Sequence, residues 1–173
     1  MHFPKLFAIL RSNVKIKRWS KVIIQIKGKV KYPITLDPSV WIFDDRKVKL
    51  EEAFTPTTVP NEDVIESNSK LNKPPVNHSI KKYNKKELLE HSYLMPIQEF
   101  VENAEVDKEV SEAILKTSDN NEHTITYGEL LESFLLFSID GKQIKENGPA
   151  YLYYGDGSNQ DDPIKGIKVI ELR

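Results

Sequence analysis

Acidic side chains beside an arginine form the first group that could do chemistry. Asp44, Asp45 and Arg46 follow one another in the stretch WIFDDRKV. Paired carboxylates can share a proton or hold a metal ion. Adjacent residues of a strand point to opposite faces, however, which argues against one shared site. The pattern therefore favours a turn that carries a local ion pair between aspartate and arginine.

The glycine- and acid-rich stretch GDGSNQDDP, residues 155–163, could cradle a ligand. A calcium loop that begins at Asp156 needs glycine at its sixth position and glutamate at its twelfth. Asp161 and Ile167 stand at those two positions. A phosphate-binding loop would require Gly-Lys-Ser/Thr, which does not follow here. We therefore expect a flexible connection between two strands.

The composition gives little support for a metal site or for a catalytic nucleophile. The four histidines occur singly and lack the spacing of zinc-binding pairs. The 173 residues contain no cysteine, which excludes disulfides, cysteine-ligated metals and thiol nucleophiles from this chain. No Gly-x-Ser-x-Gly stretch would expose a serine nucleophile. The sequence thus shows no catalytic constellation, and we expect neither a cofactor nor a bound metal.

Aromatic side chains in two parts of the chain could line a pocket. Trp41 and Phe43 lie in VWIF, and Tyr151 and Tyr153 alternate in AYLYY. Together with Arg46 they are the candidate ligand-binding residues, for an apolar or a prolyl ligand. Alternating aromatic residues of a strand also commonly belong to a core. Both interpretations stay open at the level of sequence.

Basic residues are concentrated at the start of the chain. Residues 1–36 hold nine of the 25 lysines and arginines and none of the 26 acidic residues. Such a stretch could attract nucleic acid or an anionic membrane surface. In residues 14–34 the charges alternate with apolar residues, as on the solvent face of a strand, and edge lysines discourage aggregation. We expect only weak, salt-sensitive attraction to polyanions.

The strands that must position these groups are predicted from alternating apolar residues. They cover residues 22–31, 40–43, 150–154 and 167–172, so that strands lie at both ends of the chain. A hairpin turn is predicted at Asp140-Gly141.

Helices are predicted between the strands. One begins at Pro96, with Ile97, Phe100, Val101 and Ala104 on one face. Further helical turns are predicted in residues 106–118, and a short strand that passes into a helix is predicted in residues 123–137. The fold class is therefore α+β, with a mixed or mainly antiparallel sheet and short helices between its strands.

A single domain is the expectation for a chain of this length and of 39% hydrophobic content. Residues 1–20 form a separable basic segment, and residues 21–173 form one α+β domain with a long polar loop at about 55–82. The apolar runs fall far short of the roughly 18 residues that cross a bilayer, and the first residues lack the apolar length of a signal peptide. We expect a cytoplasmic protein without a transmembrane segment.

Two stretches of the chain carry a family resemblance. KVIIQIKGKVKYPITLDP places Gly28, Val30 and Pro33 after a strand. IDGKQIKENGPAYLYYGDGSNQDDPIKGIKVIEL leads from an Asn-Gly turn and Gly-Pro to a strand, a polar loop and a closing strand. Its matching residues are Gly141, Gly148, Pro149, Leu152, Gly155, Lys165, Ile167 and Ile170. Together the stretches resemble the sulfite oxidase-like, molybdopterin-binding oxidoreductase domain.

This resemblance implies the topology of that domain, with a ligand cleft above the strand that follows Gly148-Pro149. The family holds molybdenum through a cysteine thiolate and binds the pterin phosphate through basic residues and a histidine. The cysteine is missing from this chain. The resemblance therefore implies the fold without the molybdenum chemistry, and its enzymatic counterpart is a degenerate oxidoreductase.

The stretch DPSVWIFDDRKVKLEEAF also looks like small proteins of Gram-positive bacteria, some of which are described as peptidyl-prolyl isomerases. The active-site patterns of cyclophilins and immunophilins are not visible in it. An isomerase needs only an apolar pocket and a few hydrogen-bond donors. The sequence thus predicts a bacterial, non-catalytic module that binds a peptide or a small molecule. Peptidyl-prolyl isomerase and degenerate oxidoreductase are the alternatives.

Overall fold

The computed structural model of the protein describes residues 23–55 and 85–173. The predicted basic segment 1–20 and nearly all of the predicted loop at 55–82 lie outside the described residues. Within the described ranges, no helix has the length and apolar character needed to cross a membrane.

The first described part of the chain contains three short strands and two short helices. In chain order they are β1 (Ile24–Gly28), β2 (Ile34–Leu36), a 3-10 helix (Pro38–Phe43), β3 (Val48–Lys49) and α1 (Leu50–Ala53).

The second described part contains the remaining elements. They are α2 (Lys85–Glu90), β4 (Tyr93–Pro96), α3 (Gln98–Asn103), β5 (Glu112–Thr117), β6 (Glu122–Thr126), α4 (Tyr127–Glu132), β7 (Phe134–Ile139), β8 (Lys142–Gln143), β9 (Tyr151–Tyr153), β10 (Ile164–Lys165) and β11 (Ile167–Leu172).

The strands form two sheets. The first sheet has the order β2-β1-β11-β5-β6, and β1 and β11 run parallel while its other described pairs are antiparallel. The second sheet has the order β10-β9-β7-β4-β3, with β8 paired to β7, and all these pairs are antiparallel. The predicted α+β class, with mainly antiparallel strands at both chain ends and short helices between, is confirmed.

One face of each sheet contributes to the main core, because alternate strand residues point inward. Ile26, Ile170 and Leu115 of the first sheet meet Met95 and Leu152 of the second in one buried cluster. A smaller cluster lies on the opposite face of the second sheet. It contains Leu94, Leu136 and Tyr153, with α1 packed against them.

The strand predicted at residues 40–43 is wrong, since this stretch belongs to the 3-10 helix. Asp37 precedes that helix, and its carboxylate accepts a hydrogen bond from the main-chain N–H of Ser39 at 2.9 Å. Pro38 follows with its fixed φ, which suits the first position of a helix. The Asp-Pro pair therefore begins a helical turn here.

The helical turns predicted in residues 106–118 are also wrong, because residues 112–117 form β5 between β11 and β6. Ala113, Ile114 and Leu115 are all buried. Residues with good helix propensity thus form a central strand, since pairing on both sides and burial outweigh an intrinsic preference of a few tenths of a kcal/mol per residue.

Two predicted boundaries also move. Pro96 ends β4, so that α3 begins two residues later at Gln98, although Ile97, Val101 and Ala104 are buried as predicted. The helix predicted to run to residue 137 ends at Glu132, and the apolar residues after it form β7. The Asp140-Gly141 hairpin is confirmed between β7 and β8, with positive φ at both residues as such a turn requires.

Candidate functional site

Arg46 makes the predicted ion pair with Asp44. Its Nε and Nη2 atoms donate to the two carboxylate oxygens of Asp44 at 3.0 and 2.6 Å, and its Nη1 donates to Glu99 at 2.7 Å. The guanidinium lies 4.6 Å from the centre of the Phe100 ring. The hydrogen bonds from Arg46 lower the pKa of Asp44. Arg46 therefore ties the turn after the 3-10 helix to α3.

Trp41 and Phe43 lie in different environments. Trp41 is 4% exposed in the main core, where its ring stacks on Phe100 at 5.5 Å and meets the edge of Phe137 at 5.5 Å. Phe43 is 64% exposed. A 3-10 helix has three residues per turn, so Trp41 shares its inward side with Pro38 and not with Phe43.

Tyr151 and Tyr153 lie on the other face of the second sheet from Trp41. They belong to the smaller cluster, whereas Leu152 between them points into the main core. Burial raises the pKa of both tyrosines. The structure thus brings Tyr151 and Tyr153 together but does not bring Trp41 or Arg46 to them.

A cleft opens at one end of the second sheet, where Pro96, Phe134 and Tyr153 stand in register on β4, β7 and β9. Its main lobe has a volume of about 350 Å³. The residues that line it are Ala53, Pro96, Gln98, Leu131, Glu132, Ser133, Phe134 and Gly155. Four of these side chains are hydrocarbon, and those of Gln98, Glu132 and Ser133 are polar; we call this the apolar lobe to distinguish it from a second, more acidic one.

A smaller lobe of about 140 Å³ adjoins the first, and the two share Glu132 and Gly155. Its lining consists of Glu129, Glu132, Tyr154, Gly155, Asp156 and Ser158. We call it the acidic lobe, because three of these side chains are carboxylates. The stretch GDGS, considered above as a ligand cradle, therefore lies beside the cleft.

Helix α4 contributes to the lining of both lobes, and side chains fix both of its ends. At its start, the hydroxyl of Thr126 accepts from the N–H of Glu129 at 3.2 Å, while the Glu129 carboxylate accepts from the N–H of Thr126 at 2.7 Å. This is a capping box, which satisfies main-chain donors that the first turn leaves unpaired. At its end, the Ser133 hydroxyl donates to the carbonyl of Glu129 at 2.6 Å.

The loop after β9 connects β9 to β10, as predicted, and side-chain hydrogen bonds link its residues, while its flexibility stays a prediction. The amide oxygen of Asn159 accepts from the N–H of Tyr154 at 2.8 Å, and its amide nitrogen donates to the carbonyl of Leu152 at 3.0 Å. Asp156 accepts from the N–H of Ser158 at 2.9 Å. Local side-chain bonds of this kind replace the missing strand partners and hold the loop against the cleft.

The acidic lobe carries negative charge at neutral pH. Hydrogen bonds from Thr126 lower the pKa of Glu129, and the hydrogen bond from the Ser158 N–H lowers the pKa of Asp156. Burial, followed by the charges of Glu129 and Asp156, raises the pKa of Tyr154. The described residues that line the lobe include no lysine, arginine or histidine.

Aromatic rings support the apolar lobe from behind. Phe54 meets Phe134 edge to face at 6.0 Å and lies 5.9 Å from Tyr153. Tyr153, one of the predicted site residues, therefore packs against the wall of the cleft. Among the residues that line the cleft, the GDGS stretch pointed to Gly155, Asp156 and Ser158, whereas no local pattern pointed to the lining residues on α1, β4 and β7. The Thr126-x-x-Glu129 pattern of a capping box was the available signal for the start of α4.

The residues at the cleft do not fit a molybdopterin cofactor, which is the group that the family in the sequence resemblance binds. A thiolate ligand is impossible without cysteine, and the carboxylates of the acidic lobe would repel a pterin phosphate. In the described parts of the chain, no three acidic or histidine side chains stand close enough to hold a metal ion.

Comparison with known proteins gives a distant likeness. No family model and no curated protein matches the sequence. Among solved structures, the chain is similar to the crystal structure of the sulfane dehydrogenase SoxCD from Paracoccus pantotrophus, with a TM-score of 0.49 and 12% identity. The match covers 87% of this chain and 37% of that chain. This is a distant structural resemblance and shows neither a family nor an activity.

Proposed function

We propose that the protein is a non-catalytic module that binds a peptide or a small molecule in the cleft at the end of the second sheet. The observation that carries the proposal is the junction of the two lobes at Glu132 and Gly155. A volume of about 350 Å³ falls in the usual range for ligand pockets, roughly 300–1,000 Å³.

The lining supports binding more than catalysis. Ser133 is the hydroxyl of the apolar lobe, and it already donates to the carbonyl of Glu129. Glu129 is engaged in the capping box. A hydroxyl nucleophile is usually activated by a histidine or a lysine within hydrogen-bond reach, and neither residue type is among the described residues that line the two lobes.

Peptidyl-prolyl isomerase activity and a degenerate oxidoreductase stay as alternatives from the sequence. The cytoplasmic location, the bacterial origin and the weak attraction to polyanions likewise stay predictions. Of the residues first predicted to bind ligand, Tyr153 retains a part in the proposed site, as a support for Phe54 and Phe134.

A single probe peptide tests the proposal against the isomerase alternative. The probe is the blocked peptide Ala-Leu-Pro-Leu-Ala, which offers apolar side chains and a prolyl bond. We expect saturable binding to the full chain, measured by calorimetry. We expect no exchange cross-peak between its cis and trans forms in NMR, since uncatalysed exchange takes tens to hundreds of seconds. A cross-peak that depends on the protein would favour the isomerase.

Two leucine substitutions on α1 locate the binding. Ala53→Leu adds volume inside the apolar lobe and should weaken binding, whereas Glu52→Leu adds the same side chain at an exposed position of the same helix. Equal affinities of the two variants for the probe would contradict the proposed site, as would the absence of saturable binding to the unaltered chain.

A further inference from the structure

We infer that the ligand of the cleft is a peptide segment that carries an apolar side chain close in sequence to a lysine or an arginine. This inference rests on the proposed function, because it names the ligand class for the same cleft. It follows from the different linings of the two lobes and from the place where they meet.

The apolar lobe offers a hydrocarbon surface to a ligand side chain, next to the Glu132 carboxylate that it shares with the acidic lobe. Ala53, Pro96, Leu131 and Phe134 supply its apolar surface. The amide of Gln98 is bonded to Glu102 at 2.8 Å, and the hydroxyl of Ser133 is bonded within α4. Burial of an apolar side chain against such a surface is favourable by about 25 cal/mol per Å² removed from water.

The acidic lobe selects a cation. Glu129, Glu132 and Asp156 all line it, and the hydrogen bonds that lower the pKa of Glu129 and of Asp156 keep these carboxylates charged. The charge of Asp156 also acts on Glu129, where it opposes ionisation. A ligand cation would relieve this repulsion, and the described lining contains no basic side chain that already does so.

The junction of the lobes suits a ligand that carries both groups. Glu132 and Gly155 line both lobes, so a side chain in one lobe lies next to a side chain in the other. Gly155 has no side chain to separate them. A peptide presents an apolar and a basic side chain on one backbone, whereas a free amine would fill the acidic lobe alone.

Three labelled pentapeptides test the inference on the full chain. They are Ala-Leu-Lys-Leu-Ala and its analogues with norleucine or glutamate in place of lysine, each followed by fluorescence anisotropy. We expect the lysine peptide to bind about fivefold more tightly than the norleucine peptide, and the glutamate peptide to bind most weakly. The advantage of lysine should shrink between about 20 mM and 300 mM salt, because salt screens exposed charges.

Substitutions at the acidic lobe should remove the preference for lysine. Glu132→Lys reverses an exposed charge at the end of α4, where a cation suits the helix dipole. Asp156→Asn removes a charge and retains an oxygen acceptor for the Ser158 N–H. Asp162→Lys is the matched control, because Asp162 is 95% exposed and does not line the cleft.

The outcomes separate the inference from the proposed function. Equal binding of the lysine and norleucine peptides, with Ala53→Leu still weakening both, would overturn the inference alone. Full displacement of the lysine peptide by butylamine at equal concentration would overturn the assignment to a peptide. Failure of all three peptides to bind would overturn the inference together with the proposed function.

Discussion

Gly155 lies directly against the main chain of Glu132. A Cβ atom at position 155 would stand 2.5 Å from the carbonyl oxygen of Glu132 and 3.0 Å from its Cβ. Real Cβ atoms do not approach main-chain oxygen so closely, so the loop after β9 can pack on the end of α4 only with glycine at this position. This contact brings the two lobes of the cleft together.

Gly155→Ala should therefore displace the loop from α4. We expect a loss of unfolding free energy of about 1–3 kcal/mol, as for other overpacked contacts, measured by urea denaturation. Gly128→Ala is the control, because a Cβ at position 128 in α4 meets nothing within 4 Å. The control should be neutral or more stable by up to about 1 kcal/mol. Equal effects of the two changes would show that the contact is not tight.

Ser138→Ala should not destabilise the protein. The Ser138 hydroxyl is buried in β7 and has no hydrogen-bond partner among the described residues. Replacement of an unsatisfied polar group by an apolar one removes a desolvation cost of about 1–3 kcal/mol. Ser133→Ala is the comparison, since its buried hydroxyl donates to Glu129 and its loss should cost about 1 kcal/mol. A Ser138→Ala variant that is the less stable of the two in thermal denaturation would refute this.

Ile170→Ala should cost about 2–4 kcal/mol of unfolding free energy, because it leaves a cavity in the core. Ile170 is fully buried in β11, where it pairs with Ile26 of β1 and Leu115 of β5. Val169→Ala, one residue earlier on the half-buried outer face, should cost clearly less. The prediction fails if urea denaturation gives the two variants the same midpoint.

Glu171 should make the stability of the protein depend on pH in the acid range. Hydrogen bonds from Lys116, followed by Arg173, lower the pKa of Glu171 to about 2 from its ordinary 4.5. Folding thus favours the charged carboxylate, so its contribution is complete above pH 4.5 and is lost as the pH falls towards 2. It should amount to about 1 kcal/mol, because the surrounding pairs are partly exposed.

The variant Glu171→Gln isolates this effect. Its deficit in unfolding free energy should be constant from pH 7 to about pH 5 and should shrink between pH 4.5 and 2. Denaturation curves of both proteins across this range provide the measurement. A deficit that grows as the pH falls would mean that the carboxylate is not stabilised in its charged form.

Much of the fold could be predicted from local patterns. The closing strand lies where its apolar residues predicted it, although a register shift after Ile167 places Val169 on the outer face. Asp140-Gly141 supplies the positive φ values that a hairpin turn needs. These signals are local, and the structure agrees with them. β5 was missed because its burial on both sides depends on β6 and β11, and β11 lies some fifty residues away in the chain.

The candidate site was less predictable than the fold. Trp41 and Tyr153 share an aromatic character, but the second sheet separates them, and no local pattern encodes which face a 3-10 helix buries. The cleft is assembled from α1, β4, α3, α4, β7 and the loop after β9. Contacts between such distant segments are set by the topology. The GDGS stretch could be recognised from its turn-forming residues. The contact of Gly155 with Glu132 could not be recognised from the sequence.

The location of a bound ligand tests the central claim most directly. Amide chemical shifts of the 15N-labelled full chain would be followed during titration with the peptide Ala-Leu-Lys-Leu-Ala. We predict saturable shifts at Ala53, Gln98, Leu131, Gly155 and Asp156, and little change at Lys27, Thr124 or Gly141. Shifts that centre on Trp41 and Phe43, or that spread over the first sheet while the cleft residues stay unchanged, would contradict the account.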